Sequence, residues 1–291
     1  MGRSKKLTRS LIGQVVPRNF ERLLRHAYRD PNHIWHHFKR LALGKRLIVV
    51  VATAHKVGST WLYGMLKSLG DFEVGSNFIS SEFLQSGTIL LEPEVFDYLR
   101  RLHGYVIFKS HAYPVSPELA NNIKFVSIYR DPRDVIVSSI FYLAYLDEDK
   151  GGWGERFRRL SETERIKTFI KEGEFSLSRL EQWFRTPIAY KIRYEDLKKQ
   201  PVQELEGILN YLGLVTDKKK IERVVSEHSF TSRTGRRPGE ERKESTLRKG
   251  IVGDWKNYFD QDCIVAFKTE QRGRWNSLLV EMTYEKILNW E

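Results

Sequence analysis

Residues 46–70, RLIVVVATAHKVGSTWLYGMLKSLG, constrain the fold more than any other stretch. Residues 46–54 form a β-branched, apolar run of strand length, which suits a strand buried on both faces. The segment HKVGST then places a lysine, a glycine and two hydroxyls directly before an amphipathic helical pattern. A glycine lets the backbone approach an anion closely, and the first amides of a helix are free and favour negative charge. Lys56 adds a full positive charge at the rim, while Ser59 and Thr60 can cap the helix or turn their hydroxyls outward. The layout suits a phosphate, although an ordinary strand-to-helix turn reads similarly. The nucleotide loop G-x-x-x-x-G-K-[ST] is absent.

Three further runs read as buried parallel strands separated by helical stretches: residues 105–111, 124–130 and 189–196. Strand alternating with helix predicts an α/β fold with a parallel sheet, and ligands of such sheets sit beyond the carboxyl ends of the strands. The second run ends in FKSH, so Lys109 and His111, two residues apart, fall on one side of the strand. A histidine there can act as a general base. The third ends in YRDPRDVIVSS, with Asp131 as N-cap, Pro132 at the first helical position and Arg130 at the strand tip. Ser138 comes almost two turns along that helix, and an arginine fork with a hydroxyl makes an anion clamp. Taken together, the strand ends predict a ligand with phosphates at both ends and chemistry between them. Residues 232–250 are rich in Gly, Pro and charge and read as a long loop.

Charge placement adds a second expectation. The chain carries +12, and residues 1–46 hold twelve Lys or Arg against two acids, so the remainder is nearly neutral. Two short amphipathic patterns within residues 17–43, broken at Pro31, make this segment a basic helical arm expected to meet an acidic membrane or polysaccharide surface. No nucleic-acid partner is expected. His33, His36 and His37 lack a neighbouring acid or cysteine at ligand spacing, and no carboxylate cluster for Mg²⁺ is visible, so no metal is expected. A single cysteine, Cys263, points to a reducing compartment. With no signal-peptide pattern and no apolar run of membrane-spanning length, the expected location is cytoplasmic, peripheral to a membrane at most.

The motifs resemble those of sulfotransferases that use 3′-phosphoadenosine 5′-phosphosulfate (PAPS). KVGSTW is similar to their K-S-G-T-T-W loop, and YRDPRDVIVSS to their R-[ND]-P-[KR]-D-x-x-x-S segment. RYEDLKKQPVQELEGILNYLGL resembles their Y-E-D-L stretch, and RKGIVGDWKNYF resembles R-K-G-x-x-G-D-W-K-N-x-F almost letter for letter. The resemblance runs from about Arg46 to the C-terminus, residues 47–291 forming one domain. It implies a three-layer P-loop-like fold, a central parallel sheet flanked by helices. It also implies PAPS as co-substrate and 3′-phosphoadenosine 5′-phosphate (PAP) as product. By the same resemblance Lys56 meets the bridging oxygen, and Val57, Gly58, Ser59 and Thr60 hold the 5′-phosphate while Trp61 stacks on adenine. Arg130, Ser138, Arg248, Lys249 and Gly250 grip the 3′-phosphate. Tyr194, Ser229 and Phe230 complete the nucleotide site, and His111, with Lys109 beside it, deprotonates the acceptor hydroxyl.

Two positions depart from the pattern. Val57 stands where the family has Ser, and His55 where Pro is common, which puts a second imidazole beside the loop. The K-x-x-x-T-V-x-x-x-E dimer segment of the animal enzymes is not visible, so no oligomeric state is inherited. Two other readings stay open from the sequence: a P-loop small-molecule kinase, and a non-catalytic polyanion- or nucleotide-binding protein. For the acceptor, the basic arm and the loop at 233–249, with seven basic residues against three acidic, favour a carbohydrate or glycolipid. Phe78, Phe83, Tyr142 and Tyr145 speak instead for a phenol or small alcohol in an apolar pocket.

Overall fold

The computed structural model describes residues 46–70, 72–79, 81–85, 87–148 and 152–290; the basic arm and its two expected helices lie outside the described residues. Five parallel strands form the central sheet in the order β2-β5-β1-β6-β7: β1 (Arg46–Ala52), β2 (Glu73–Val74), β5 (Gly104–Ser110), β6 (Lys124–Tyr129) and β7 (Ala189–Arg193). A two-stranded hairpin, β3 (Leu84–Gln85) with β4 (Thr88–Ile89), lies beside β5. The four long strands stand where the β-branched runs predicted them. The last is shorter than expected, because Tyr194 begins a helix whose first turn carries Glu195 and Asp196.

The alternation of β1 explains the layers. Val49 and Val51 point into one core, while Ile48, Val50 and Ala52 point into the other, and all five are buried. Helix α1 (Ser59–Gly70) buries Leu62, Met65, Leu66 and Leu69, at i, i+3, i+4 and i+7, against the first core. Helix α2 (Pro93–Arg101) covers the second with Val95, Phe96 and Leu99. Helix α3 (Pro132–Tyr145) is apolar nearly all round, since it lies beneath α4 (Trp153–Arg159) and α5 (Glu162–Glu172). The remaining helices are α6 (Glu174–Arg185), α7 (Tyr194–Lys199), α8 (Pro201–Leu212), α9 (Lys218–Glu227), α10 (Phe230–Thr234), α11 (Gln261–Thr269) and α12 (Arg274–Glu281). They complete a sheet covered on both faces, the three-layer α/β architecture predicted from the sequence.

One connection differs from that expectation. Between β5 and β6 the chain makes turns and no helix, because Pro114 and Pro117 remove amide donors from a crossover that is already short. This brings residues 111–113 straight across the sheet edge. Trp183 of α6 pins them by donating its indole N–H to the Ala112 carbonyl at 2.8 Å. With β1 flanked by β5 and β6, the chain reverses direction across the sheet at β1, so the crevice opens at the carboxyl ends of these strands.

Ile107, fully buried at the middle of β5 between β2 and β1, tests the sheet's contribution. Ile107→Ala is expected to lower unfolding free energy by about 2–5 kcal/mol, read as a lower urea midpoint at unchanged m-value.

Candidate active site

The loop after β1 curls through two left-handed residues, Lys56 (φ 62°) and Gly58 (φ 99°). A lysine in this region is uncommon, and such conformations concentrate at functional sites. At Gly58 only glycine fits, since a Cβ would stand 2.8 Å from the ring of Tyr194. The Gly58 carbonyl accepts from the amides of Trp61 and Leu62, at 3.1 and 3.2 Å, and so starts α1. Ser59 is buried at that start, Thr60 is exposed, and the Val57 side chain is fully buried in the first core. At Val57 only the backbone is left to meet a ligand.

The Lys56 ammonium lies 4.2 Å from the centre of the Tyr142 ring. Burial, then repulsion from Lys109, Arg130 and Arg248, pushes it down to about 8. Among the described residues no carboxylate pairs with it. Lys109 donates to Thr60 Oγ1 at 2.9 Å, which ties the tip of β5 to the first turn of α1. His111, one residue past β5, has Nδ1 at 3.0 Å from the Thr53 carbonyl. A carbonyl only accepts, so Nδ1 carries the proton and Nε2 keeps its lone pair. Burial first, then the Lys109 charge, pulls the His111 imidazole down to about 4, against the opposing effect of the Thr53 bond. His55 stacks on it, with ring centres 4.0 Å apart and planes inclined by 28°. Burial and the neighbouring positive groups bring His55 down to about 3. Both rings are therefore neutral at neutral pH, and His111 is the one whose tautomer is fixed to present Nε2.

On the other side of the loop, Arg130 crosses the face of Tyr194 with its Cζ 4.5 Å from the ring centre. It donates to Asp134 Oδ2 at 3.1 Å and to the Ile251 carbonyl at 3.2 Å. Asp131 caps α3 by accepting from the Arg133 amide at 2.9 Å. Asp134, Ser138 and Tyr142 recur every four residues and so share the face of α3 turned to the loop. Asp134 is fully buried and gathers three donors: Arg130, the Gly253 amide at 2.9 Å and the Trp255 amide at 2.9 Å. It thereby joins two motifs that are 119 residues apart in the chain.

The C-terminal motif is ordered by a second carboxylate. Asp254 accepts from Arg248, from Lys249 at 2.8 Å and from Asn257 at 2.8 Å. Arg236 folds the preceding loop onto the motif by donating to the carbonyls of Leu247 and Arg248. Gly250, left-handed at φ 67°, lies against Phe230 so closely that a Cβ would come within 2.4 Å of its ring. Its carbonyl accepts from Lys198 at 3.0 Å. Ser229 caps the one-turn helix α10, its Oγ accepting from the Ser232 amide at 3.1 Å. Trp61 stands edge-on to Tyr194 with centres 6.0 Å apart.

All the residues that sequence motifs single out therefore gather at the carboxyl ends of β1, β5, β6 and β7 and the loop closing over them. Phe78 and Phe83 instead pack on the second core, while Tyr142 and Tyr145 are exposed. The motifs assign no role to Asp134 or Asp254. Asp134 has a visible signal, an acid at i+4 from Arg130, and Asp254 has Arg248 and Lys249 six and five residues upstream. Among the described residues five buried side-chain donors have no hydrogen-bond partner, and two of them, Trp61 Nε1 and Arg130 Nε, lie beside this loop. Polar hydrogens orphaned beside a glycine-lined cradle fit a polar, anionic aromatic ligand. Among the described residues no group of three or more His, Cys, Asp or Glu is placed to hold a metal ion, and no helix is long and apolar enough to cross a membrane.

Comparison with known proteins decides the family: the sulfotransferase domain model matches residues 48–270. The chain belongs to the sulfotransferase family, the PAPS-dependent enzymes its motifs resemble. Sulfotransferase 1C2 of Rattus norvegicus is 25% identical over 242 residues, covering 72% of this chain and 77% of the relative. Sulfotransferase 1A1 of Mus musculus is 28% identical over 244 residues, covering 72% and 78%. The crystal structure of mouse sulfotransferase SULT7A1 complexed with PAP shares the fold at TM-score 0.53 and 20% identity, over 78% of this chain and 87% of that one. The sulfotransferase assignment removes the kinase reading.

Removing Asp134 strands a buried guanidinium and two amides. Asp134→Ala is expected to cost about 3–5 kcal/mol of stability, measured by urea unfolding, and to weaken PAP binding in calorimetry by loosening residues 248–255.

Proposed function

We propose that the chain transfers the sulfuryl group of PAPS to an acceptor hydroxyl, with His111 as general base. Membership in the family carries the reaction class. The observation that supports the finer reading is the fixed tautomer of His111, in a site where the loop lysine Lys56 has no carboxylate partner among the described residues. The PAP in the mouse neighbour's crystal structure is consistent with the same nucleotide here.

In this reading the amides of Val57, Gly58, Ser59 and Thr60 hold the 5′-phosphate. Arg130, Ser138, Arg248, Lys249 and Gly250 hold the 3′-phosphate, Ser229 borders it, and Trp61, Tyr194 and Phe230 enclose the adenine. His111 Nε2 takes the hydroxyl proton as the new O–S bond forms. Lys56, aided by the helix amides, receives the negative charge left on the phosphate as the bridging S–O bond breaks. Lys109 steadies Thr60 and keeps His111 neutral. The positive charge this step needs is present in the chain, so transfer is expected to survive EDTA.

The acceptor is a hydroxyl compound, and the arm of residues 1–46 and the cationic loop favour a carbohydrate or glycolipid at an anionic surface on the cytoplasmic side. Deleting residues 1–45 should then abolish salt-sensitive binding to anionic vesicles. A phenol is the second reading, supported by exposed Tyr113, Tyr142, Tyr145 and Phe175 and by a flavonol sulfotransferase-like relative from Flaveria bidentis, 24% identical over 247 residues. Label transfer from PAPS to matched glycans, glycolipids and phenols separates them; transfer to phenols alone removes the carbohydrate reading.

His111→Ala is expected to lower kcat by about 10²–10⁴-fold with PAP affinity unchanged, and retained turnover would refute the base assignment. Protonation of His111 stops the base, and deprotonation of Lys56 removes the charge it supplies. The kcat/KM for PAPS should accordingly fall below about pH 4 and above about pH 8, the limbs of the free enzyme. In kcat the alkaline limb should move upward, because a bound phosphate favours the protonated lysine.

A further inference from the structure

Arg179 of α6 is used by none of the motifs. Phe175, Arg179 and Trp183 recur every four residues and share one face of that helix. This face is turned to the segment just past β5. Trp183 donates to the Ala112 carbonyl at 2.8 Å, and the Tyr113 hydroxyl donates to the Phe175 carbonyl at 3.3 Å. Arg179 lies between these two ties, with its Cζ 4.9 Å from the centre of the Tyr113 ring and 5.8 Å from that of Phe175. It therefore stands beside Tyr113, two residues past His111, on a segment tied to α6 at two adjacent residues.

Its surroundings offer it no counter-charge. The Nε atom is buried without a hydrogen-bond partner, and among the described residues no carboxylate pairs with the guanidinium. Other partly buried arginines of the site are neutralised: Arg130 by Asp134, and Arg248 by Asp254 and Glu241. On the same helix Glu181 is occupied by Arg185 and Arg274, and Glu174 by Arg274. The charged side chains that act on His55 and His111, Lys56, Lys109 and Arg179, are all cationic. Arg179 thus lies at the segment that follows His111, with its guanidinium over the Tyr113 ring.

A half-buried guanidinium with an unmet donor is costly unless a ligand completes it. Its planar fork matches a carboxylate, phosphate or sulfate ester, and the flanking rings hold the fork in place while offering a face to the ligand's apolar part. We propose that Arg179 is the specificity-determining residue of the acceptor side, pairing with an anionic group carried by the molecule whose hydroxyl is sulfated. The acceptor class is then a hydroxylated acid, such as a uronic-acid glycoside or a phenolic acid, and not a neutral alcohol. This rests on the sulfuryl-transfer reading and narrows it.

The test uses two acceptor pairs that differ only in charge: 4-nitrophenyl β-D-glucuronide against the glucoside, and 4-hydroxyphenylacetate against its methyl ester. Binding of each to the full-length protein saturated with PAP is measured by calorimetry, and transfer from PAPS is monitored in parallel. At least one acid should bind about ten- to a hundredfold more tightly than its neutral partner, the range of a charge-assisted hydrogen bond. In Arg179→Gln that preference should vanish, through KM and not kcat, with PAP affinity and the neutral partner's KM unchanged. Arg179→Lys should restore part of it. No preference for either acid, or a preference that survives Arg179→Gln, overturns the proposal. An equal loss of kcat for acid and neutral acceptor also overturns it, by moving Arg179 onto the transferring group. Failure of the unsubstituted protein to bind PAP would reject the PAPS reading itself, and is seen separately in the first titration.

Discussion

One buried carboxylate holds the site together. Asp134 sits in the first turn of the helix after β6, receives the guanidinium at the strand tip and accepts two amides from the C-terminal motif. A charge in that place is sustained only because all three donors converge on it. Its consequence is positional. Arg130 is held across Tyr194, Tyr194 fills the space beside Gly58, and the loop that carries Lys56 is shaped by that close approach. The half of the crevice built on Arg130, Tyr194 and Gly58 is thus one packed unit, although its parts come from distant stretches of chain.

The opposite half obeys a different constraint. His111 is aimed by a single backbone carbonyl, and the strap carrying it is pinned from α6 by Trp183. Among the described residues no carboxylate orients the imidazole, and burial beside the Lys109 charge keeps it neutral. The cations of the crevice differ in their partners: Arg130 and Arg248 are paired with carboxylates, whereas Lys56 is lowered by burial and by Lys109, Arg130 and Arg248.

The stacked His55 and the buried Val57 show how a departure from a family pattern is absorbed. Valine at position 57 surrenders a hydroxyl but gains a place in the first core beside α1. Histidine at position 55 adds a ring that lies flat on His111 and shields one face of it from water. Both changes act on the environment of the loop and leave its backbone course, set by Lys56 and Gly58, intact.

Chemistry that is local in the chain was legible in the sequence. Alternating and β-branched runs located β1, β5, β6 and β7, since a parallel strand buried on both faces must be apolar throughout. The Asp-Pro start of α3 and the glycine and hydroxyls before α1 were equally readable, because caps and tight turns are decided within a few residues. The helix-free crossover after β5 had a local signal in Pro114 and Pro117, but the alternation of strand with helix predicted a helix there all the same. Tertiary structure alone decided which charges meet. Asp134 with Gly253, His111 with Thr53 and Arg179 with the Tyr113 strap are pairings across the fold. Sequence order cannot encode them one residue at a time, because Coulomb energy and burial depend on distance in space and not on separation along the chain.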